Sequence, residues 1–243
     1  MSSHGAPMLD ETEVFGVFAA FTVTPIRTNN AGESPDITPD GVTDLLTNYE
    51  DDVLVDAYVL EGLTPDADYM LRVHARELTT AQAFLQDFRE TTLGRHSQQT
   101  EAFVGLIREA VYTPDAPDLN AELEATTYDG SEPPQYAIVI PVRKTAEWWN
   151  SSNEEQLELM RGHIEPTLEY LDSVRRQLYH ASGLDDVDFI TYFETDDLVA
   201  FNDLYRDLQS IPEYRYVSYG DPTLVGRIQE PATAFDQVTR QLE

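Results

Sequence analysis

VRRQLYHASGLDDVDFITYFETDDL, residues 174–198, reads as two strands joined by a short turn and running into a helix. In VRRQLYHA, strand alternation sets Arg176 and Leu178 on one face and Arg175, Gln177 and Tyr179 on the other. In DFITYFET, Phe189, Thr191 and Phe193 share a face. If the inward faces meet, Arg176 projects into a pocket walled by Leu178, Thr191 and Phe193. A lone guanidinium in apolar surroundings is costly and points to an anionic ligand or a cofactor. A surface ion pair is the other reading that periodicity allows, because the chain carries 45 acidic residues.

The neighbouring segments give this stretch its context. Strand YAIVIPV (136–142) and a helix over about 153–170 precede it, and a helix over 197–209 and strand YRYVSY (214–219) follow. The first half has the same order. Strand FGVFAAFTVTPI (15–26) leads to a helix over 39–50, started by Thr38-Pro39-Asp40. Strands VLVDAYVLEGL (53–63) and DYMLRVHAR (68–76) come next. A helix capped by Thr79 or Thr80 carries Phe84, Leu85 and Phe88, and EAFVGLIREA (101–110) closes the half. Residues 113–134 have the Pro, Asp and Gly content of a linker, which divides the chain into 1–134 and 135–243.

Each half is therefore β-α-β-β-α-β. A faint repeat agrees: Gly62-Leu63, Asp68-Tyr69 and Leu78 recur as Gly183-Leu184, Asp188-Phe189 and Leu198. The expected class is α+β, with two ferredoxin-like halves whose antiparallel sheets pack together, as in a dimeric α/β-barrel.

Composition limits function. The 243 residues hold 15 basic and 45 acidic side chains, net −30, and Lys144 is the single lysine. No basic footprint exists for nucleic acid or for polybasic membrane docking. With 41% hydrophobic residues the chain can bury a core, so it is expected to fold. Zero cysteines exclude disulfides and thiolate chemistry. No signal peptide and no run of eighteen apolar residues is found, so the expected location is the cytoplasm. Dispersed carboxylates with almost no lysine suit a halophile's high-salt cytosol, where at about 1 M salt the Debye length is roughly 3 Å and self-repulsion is screened. An acidic tail for a basic partner would instead concentrate the charge in one run.

Five histidines remain for catalysis: His4, His74, His96, His163 and His180. No HExxH, GxSxG, GxxxxGK[ST] or GxGxxG occurs. His163 lies about 60° from Met160 at the edge of the apolar stripe Leu157, Met160, Ile164, Leu168, at about 100° per residue. Pro166 should kink the helix beside it. Helical position alone favours a half-buried structural histidine over a ligand.

Together, IPVRKTAEWWN, His163, the 174–198 stretch, PEYRY and GDPTLVG resemble the chlorite dismutase family of haem proteins. The resemblance is close over about 136–227, while the first half matches in length and element order. It implies one haem b per subunit in the C-terminal half. His163 matches the proximal iron ligand, and Glu213 the carboxylate that accepts its Nδ1–H. Arg176 matches the distal arginine. Lys144, Trp148 and Trp149 match residues flanking the haem propionates, and Leu178, Thr191 and Phe193 match the distal wall. Haem-biosynthetic members carry a catalytic tyrosine where this chain has Ile140, and lack the distal arginine. The implied activity is thus conversion of chlorite to chloride and dioxygen, and the chain length suits the longer, pentameric branch. A peroxidase-like haem enzyme and a non-catalytic haem sensor or carrier are the alternatives.

Overall fold

The structure, a computed structural model, describes residues 7–24, 40–108 and 133–239. His4, the expected helix start at Thr38-Pro39 and most of the 113–134 linker lie outside them. The chain divides into two compact units, one chiefly Glu13–Leu106 with Val225–Glu243, the other chiefly Ile107–Leu224.

In the first unit β1 (Phe15–Val23), α1 (Asp40–Asn48), β2 (Leu54–Val59), β3 (Tyr69–Ala75), α2 (Leu78–Glu90), α3 (Thr92–Arg95) and β4 (Ser97–Leu106) follow in order. The strands pair antiparallel as β4-β1-β3-β2, the ferredoxin-like order. In the second unit come β5 (Tyr136–Lys144), α4 (Ala146–Asn150), α5 (Asn153–Thr167), β6 (Val174–His180), β7 (Phe189–Thr195), α6 (Leu198–Ser210) and β8 (Val217–Tyr219). Its order, β8-β5-β7-β6, is the same.

Several details differ from the sequence reading. Neither Thr79 nor Thr80 caps α2, because the helix already begins at Leu78 and Glu77 holds the N-cap position without a side-chain bond. Only VSY of YRYVSY is strand; Pro212 opens a 3-10 turn over Pro212–Tyr216. The proline's fixed φ and missing N–H favour a turn start over a paired strand. Helix α5 runs through Pro166 and ends at Thr167, then tightens into a 3-10 turn over Leu168–Tyr170. Past residue 220, β9 (Leu224–Gln229) and α7 (Pro231–Thr239) appear. Strand β9 pairs with β2, and Phe235 and Val238 of α7 join the first unit's core, so this C-terminal stretch belongs to the first unit and not to 135–243.

The repeat holds at the level of hydrogen bonds. Gly62 and Gly183, 183 − 62 = 121 residues apart, both take positive φ, 77° and 79°, in the turn joining the middle strands. Leu63 N–H bonds Leu60 O at 2.9 Å, and Leu184 N–H bonds Ala181 O at 2.8 Å. Asp68 accepts from Val23 N–H at 2.6 Å, as Asp188 accepts from Lys144 N–H at 2.7 Å. Tyr49 and Tyr170 donate to Asp87 and Asp207, each at 2.7 Å. Thr24 N–H bonds His96 O at 2.8 Å, and Thr145 N–H bonds Tyr216 O at 2.9 Å. The registers also coincide: Val55 faces Val73 and Val17 faces Val73, as Arg176 and Ile138 both face Phe193.

Candidate functional site

The second unit's sheet has two unlike faces. Tyr179, Ile190 and Tyr192 on one are buried, as alternation requires of a packed face. On the other, Arg176, Leu178, Phe189 and Thr191 are half-buried, and Phe193 is buried. Arg176 lies opposite Phe193, and Leu178 opposite Thr191, so the register brings these four expected residues together. Thr191 Oγ1 donates to Ile140 O at 3.0 Å.

His163, Glu213 and Lys144 form one chain of contacts. Ser152 caps α5 by accepting from Glu155 N–H at 3.2 Å, and acidic Glu154 and Glu155 occupy its first turn. Ten residues after Asn153 the helix delivers His163, whose Nδ1 lies 3.3 Å from Glu213 Oε2. Glu213 stands in the 3-10 turn over Pro212–Tyr216 and is 3% exposed. Its other oxygen pairs with Lys144 Nζ. The lysine side chain is only 8% exposed, which excludes an exposed salt bridge. Lys144 occupies the last position of β5, fixed there by the Asp188 carboxylate on its N–H.

Electrostatics define the protonation states. Burial pulls the His163 imidazole down to about 3, and the positive charges of Lys144 and Arg176 act in the same direction. At neutral pH His163 is therefore neutral, the form that ligates metal. With Nδ1 turned to Glu213, Nε2 is the nitrogen available as a ligand. Burial also lowers Lys144, to about 8, against the charge of Asp188. The ion pair with Glu213 compensates its desolvation.

The tryptophans separate. Trp148 is buried, with Lys144 Nζ 4.3 Å from its ring centre and the Tyr216 ring 5.9 Å away. Trp149 is half exposed and stacks on Phe189 at 6.3 Å. Phe201 and Tyr205 had no place in the sequence reading of the site. Their rings lie 5.2 and 5.8 Å from Phe193. Their i, i+4 spacing on α6 was visible, but nothing local tells which sheet face that stripe meets.

Among the described residues no cluster of three or more His, Asp or Glu side chains could cage a metal ion. One neutral histidine backed by a carboxylate instead suits an iron otherwise held by a macrocycle, and the half-buried face with Arg176 gives an anion a counter-charge. Such a fold and site fit the haem-protein class that the resemblance implies, built from two ferredoxin-like halves.

Comparison with known proteins agrees. The chlorite dismutase family profile matches residues 38–229, and the chain belongs to this family. It is 44% identical over 227 residues to a chlorite dismutase of Ideonella dechloratans, covering 92% of this chain and 79% of that one. A coproheme decarboxylase of Mycolicibacterium smegmatis is 30% identical over 221 residues, covering 90% and 91%. The solved structure of a chlorite dismutase from Candidatus Nitrospira defluvii in complex with imidazole matches with TM-score 0.84 and 39% identity, covering 95% and 97%. Among the described residues no helix is long and apolar enough to cross a membrane.

Proposed function

We propose that this chain is a haem b enzyme that converts chlorite to chloride and dioxygen. The supporting observation is the Lys144–Glu213–His163 chain with Arg176 acting on the same imidazole. Haem, when bound, supplies the redox-active iron at which chlorite oxygen is transferred. His163 would hold the iron through Nε2, the nitrogen left available by the Nδ1 contact with Glu213. Glu213 accepts the Nδ1–H, fixes the tautomer and makes the ring a stronger donor. Lys144 supplies the counter-charge to the Glu213 carboxylate beside the half-buried histidine.

Arg176 would bind the chlorite anion and hold a negatively charged fragment in place by charge-assisted hydrogen bonds. Leu178 and Phe193 keep water away from that fragment, Trp148 and Trp149 line the cofactor's edge, and Thr191 completes the wall. Ile140 cannot supply the phenol that the decarboxylating branch uses. At −30 the chain repels anions in dilute buffer, so the working medium is a high-salt cytosol, where screening leaves the local charge of Arg176 in control. The assembly is a homopentamer.

Haem titration followed by chlorite addition at an oxygen electrode tests the reading. We expect oxygen evolution that rises with KCl, no haem binding in His163→Ala, and haem binding with reduced oxygen yield and faster bleaching in Arg176→Ala. An Arg176→Ala protein with full yield and haem lifetime would remove the arginine's role, and peroxide turnover without oxygen from chlorite would leave a peroxidase.

A further inference from the structure

Two rows of aromatic rings lead away from the site, and they differ in charge. One begins at Phe193, opposite Arg176, and runs to Tyr205 at 5.8 Å, Tyr219 at a further 5.9 Å and Tyr214 at 6.2 Å beyond it. Tyr219 is 37% exposed on β8, the edge strand of its sheet. The other runs from Trp148 to Tyr216, 5.9 Å away, whose hydroxyl lies 3.3 Å from Glu155. Rings in such contact pass electrons, and a phenol that can lose its proton is a natural resting place for an oxidising hole.

Each ring of the second row has a cation against it. Lys144 Nζ is 4.3 Å from the Trp148 ring centre, and Arg215 Cζ is 4.6 Å from that of Tyr216. A cation on the ring face attracts the π-electrons and makes removing one of them harder. Among the described residues no cation lies over Tyr205, Tyr214 or Tyr219.

We propose that oxidising equivalents stranded at the site leave through Tyr205 to Tyr219 and Tyr214, while Lys144 and Arg215 close the route through Trp148 and Tyr216. The inference rests on the haem reading above. With hydrogen peroxide as oxidant, one peroxide O–O bond breaks and two phenol O–H bonds break, giving two phenoxyl radicals and two waters. Each phenol gives up one electron and one proton. The electron passes inward past Tyr205, and the proton of exposed Tyr219 goes to solvent. A two-electron oxidant left without substrate is thereby discharged at the surface, away from the ligand histidine.

The experiment treats the haem-loaded protein with hydrogen peroxide and a nitroso spin trap, locates the adduct by peptide mass spectrometry, and follows the radical by freeze-quench EPR with ring-deuterated tyrosine. Adducts are expected at Tyr219 or Tyr214, with loss of them in Tyr205→Phe. Arg215→Gln, a surface change, should add labelling at Tyr216. Tyr219→Phe, at the sheet edge, serves as a second variant and should remove the adduct at that position and diminish the one at Tyr214. Adducts on Trp148 or Tyr216 in the unmodified chain, or a Tyr219 adduct that survives Tyr205→Phe, would overturn the proposal. If absorption spectra show no bound haem, the functional reading fails and this inference with it; haem bound without tyrosine labelling defeats the inference alone.

Discussion

Val23, Val42, Val55 and Leu93 in the first unit hold the places that Lys144, His163, Arg176 and Glu213 hold in the second. Strand register equates Val55 with Arg176, since each faces the residue, Val73 or Phe193, that also faces Val17 or Ile138. The aspartate bond to the strand end equates Val23 with Lys144. Val42 precedes Tyr49 by seven residues, and His163 precedes Tyr170 by the same seven. Leu93 stands three before His96, and Glu213 three before Tyr216, each carbonyl taking the equivalent threonine N–H.

In the first unit these positions join a continuous core with Phe21, Tyr69, Phe84, Phe88 and Phe235, and Val42, Val55 and Leu93 are nearly inaccessible. The second unit keeps the frame and exchanges four apolar side chains for charged or polar ones around a half-buried face. One architecture thus serves once as a sealed core and once as a binding site, and four side chains account for the difference.

Exchanging residues between the two sets tests that contrast most severely. Val55→Arg or Leu93→Glu places a charge in the sealed core with no counter-ion, at a cost of about 3–5 kcal/mol or more, enough to abolish cooperative folding. Arg176→Val, the reverse change, should keep the cooperative transition. Unfolding curves at matched salt compare them, and equal losses in both units would show that the second face is no more tolerant than the first.

Glu213→Leu leaves Lys144 buried without its carboxylate and should cost about 3 kcal/mol. Adding Lys144→Met should recover most of that loss, because an apolar pair replaces the ion pair, while the haem-supporting chain stays broken. Additive losses in the double-mutant cycle would mean that the two side chains do not act as a pair.

A pH-dependent effect concerns the buried histidine on the opposite face of the first sheet. Burial, aided by the charge of Arg72 and opposed by Asp56, draws His74 down to about 3 from 6.5. Between those values the unfolded chain binds the proton and the folded chain does not. Stability therefore falls as pH falls through that window, by up to about 1.4 kcal/mol per pH unit. His74→Phe should flatten that slope in urea titrations at fixed salt.

The smallest expected effect is one the two units share. An added Cβ meets nothing within 4 Å at Gly62 or Gly183, so alanine at either position costs only backbone strain, about 1 kcal/mol. Thermal shifts that differ strongly between Gly62→Ala and Gly183→Ala would argue that the two turns are not equivalent.

Much of the frame was legible. Period-two alternation marked most of the strands and the faces of β6 and β7, and the Gly-Leu and Asp-aromatic pairs disclosed the repeat that the hydrogen bonds display in full. Where prediction slipped, neighbours decided: Pro212 turned an apparent strand into a 3-10 turn, and α2 began one residue before its expected threonine caps. For the site, periodicity placed Arg176, Leu178, Thr191 and Phe193 together; the link between His163 and Glu213 came only through family resemblance, which set Lys144 beside the haem propionates, and its contact with Glu213 came only from the structure. Their contacts span 50 and 69 residues (213 − 163 and 213 − 144), far beyond any local pattern.

The sequence by itself determined the composition-driven limits, the doubled β-α-β-β-α-β order and which strand face carries the arginine, because charge and alternation are properties of adjacent residues. Tertiary structure alone decided that Val23, Val42, Val55 and Leu93 are the apolar counterparts of the site, that the C-terminal strand and helix return to the first unit, and that Lys144 meets Glu213. Those facts depend on which surfaces the folded chain brings within a few ångströms of each other, and burial then sets the energy of every charge placed there.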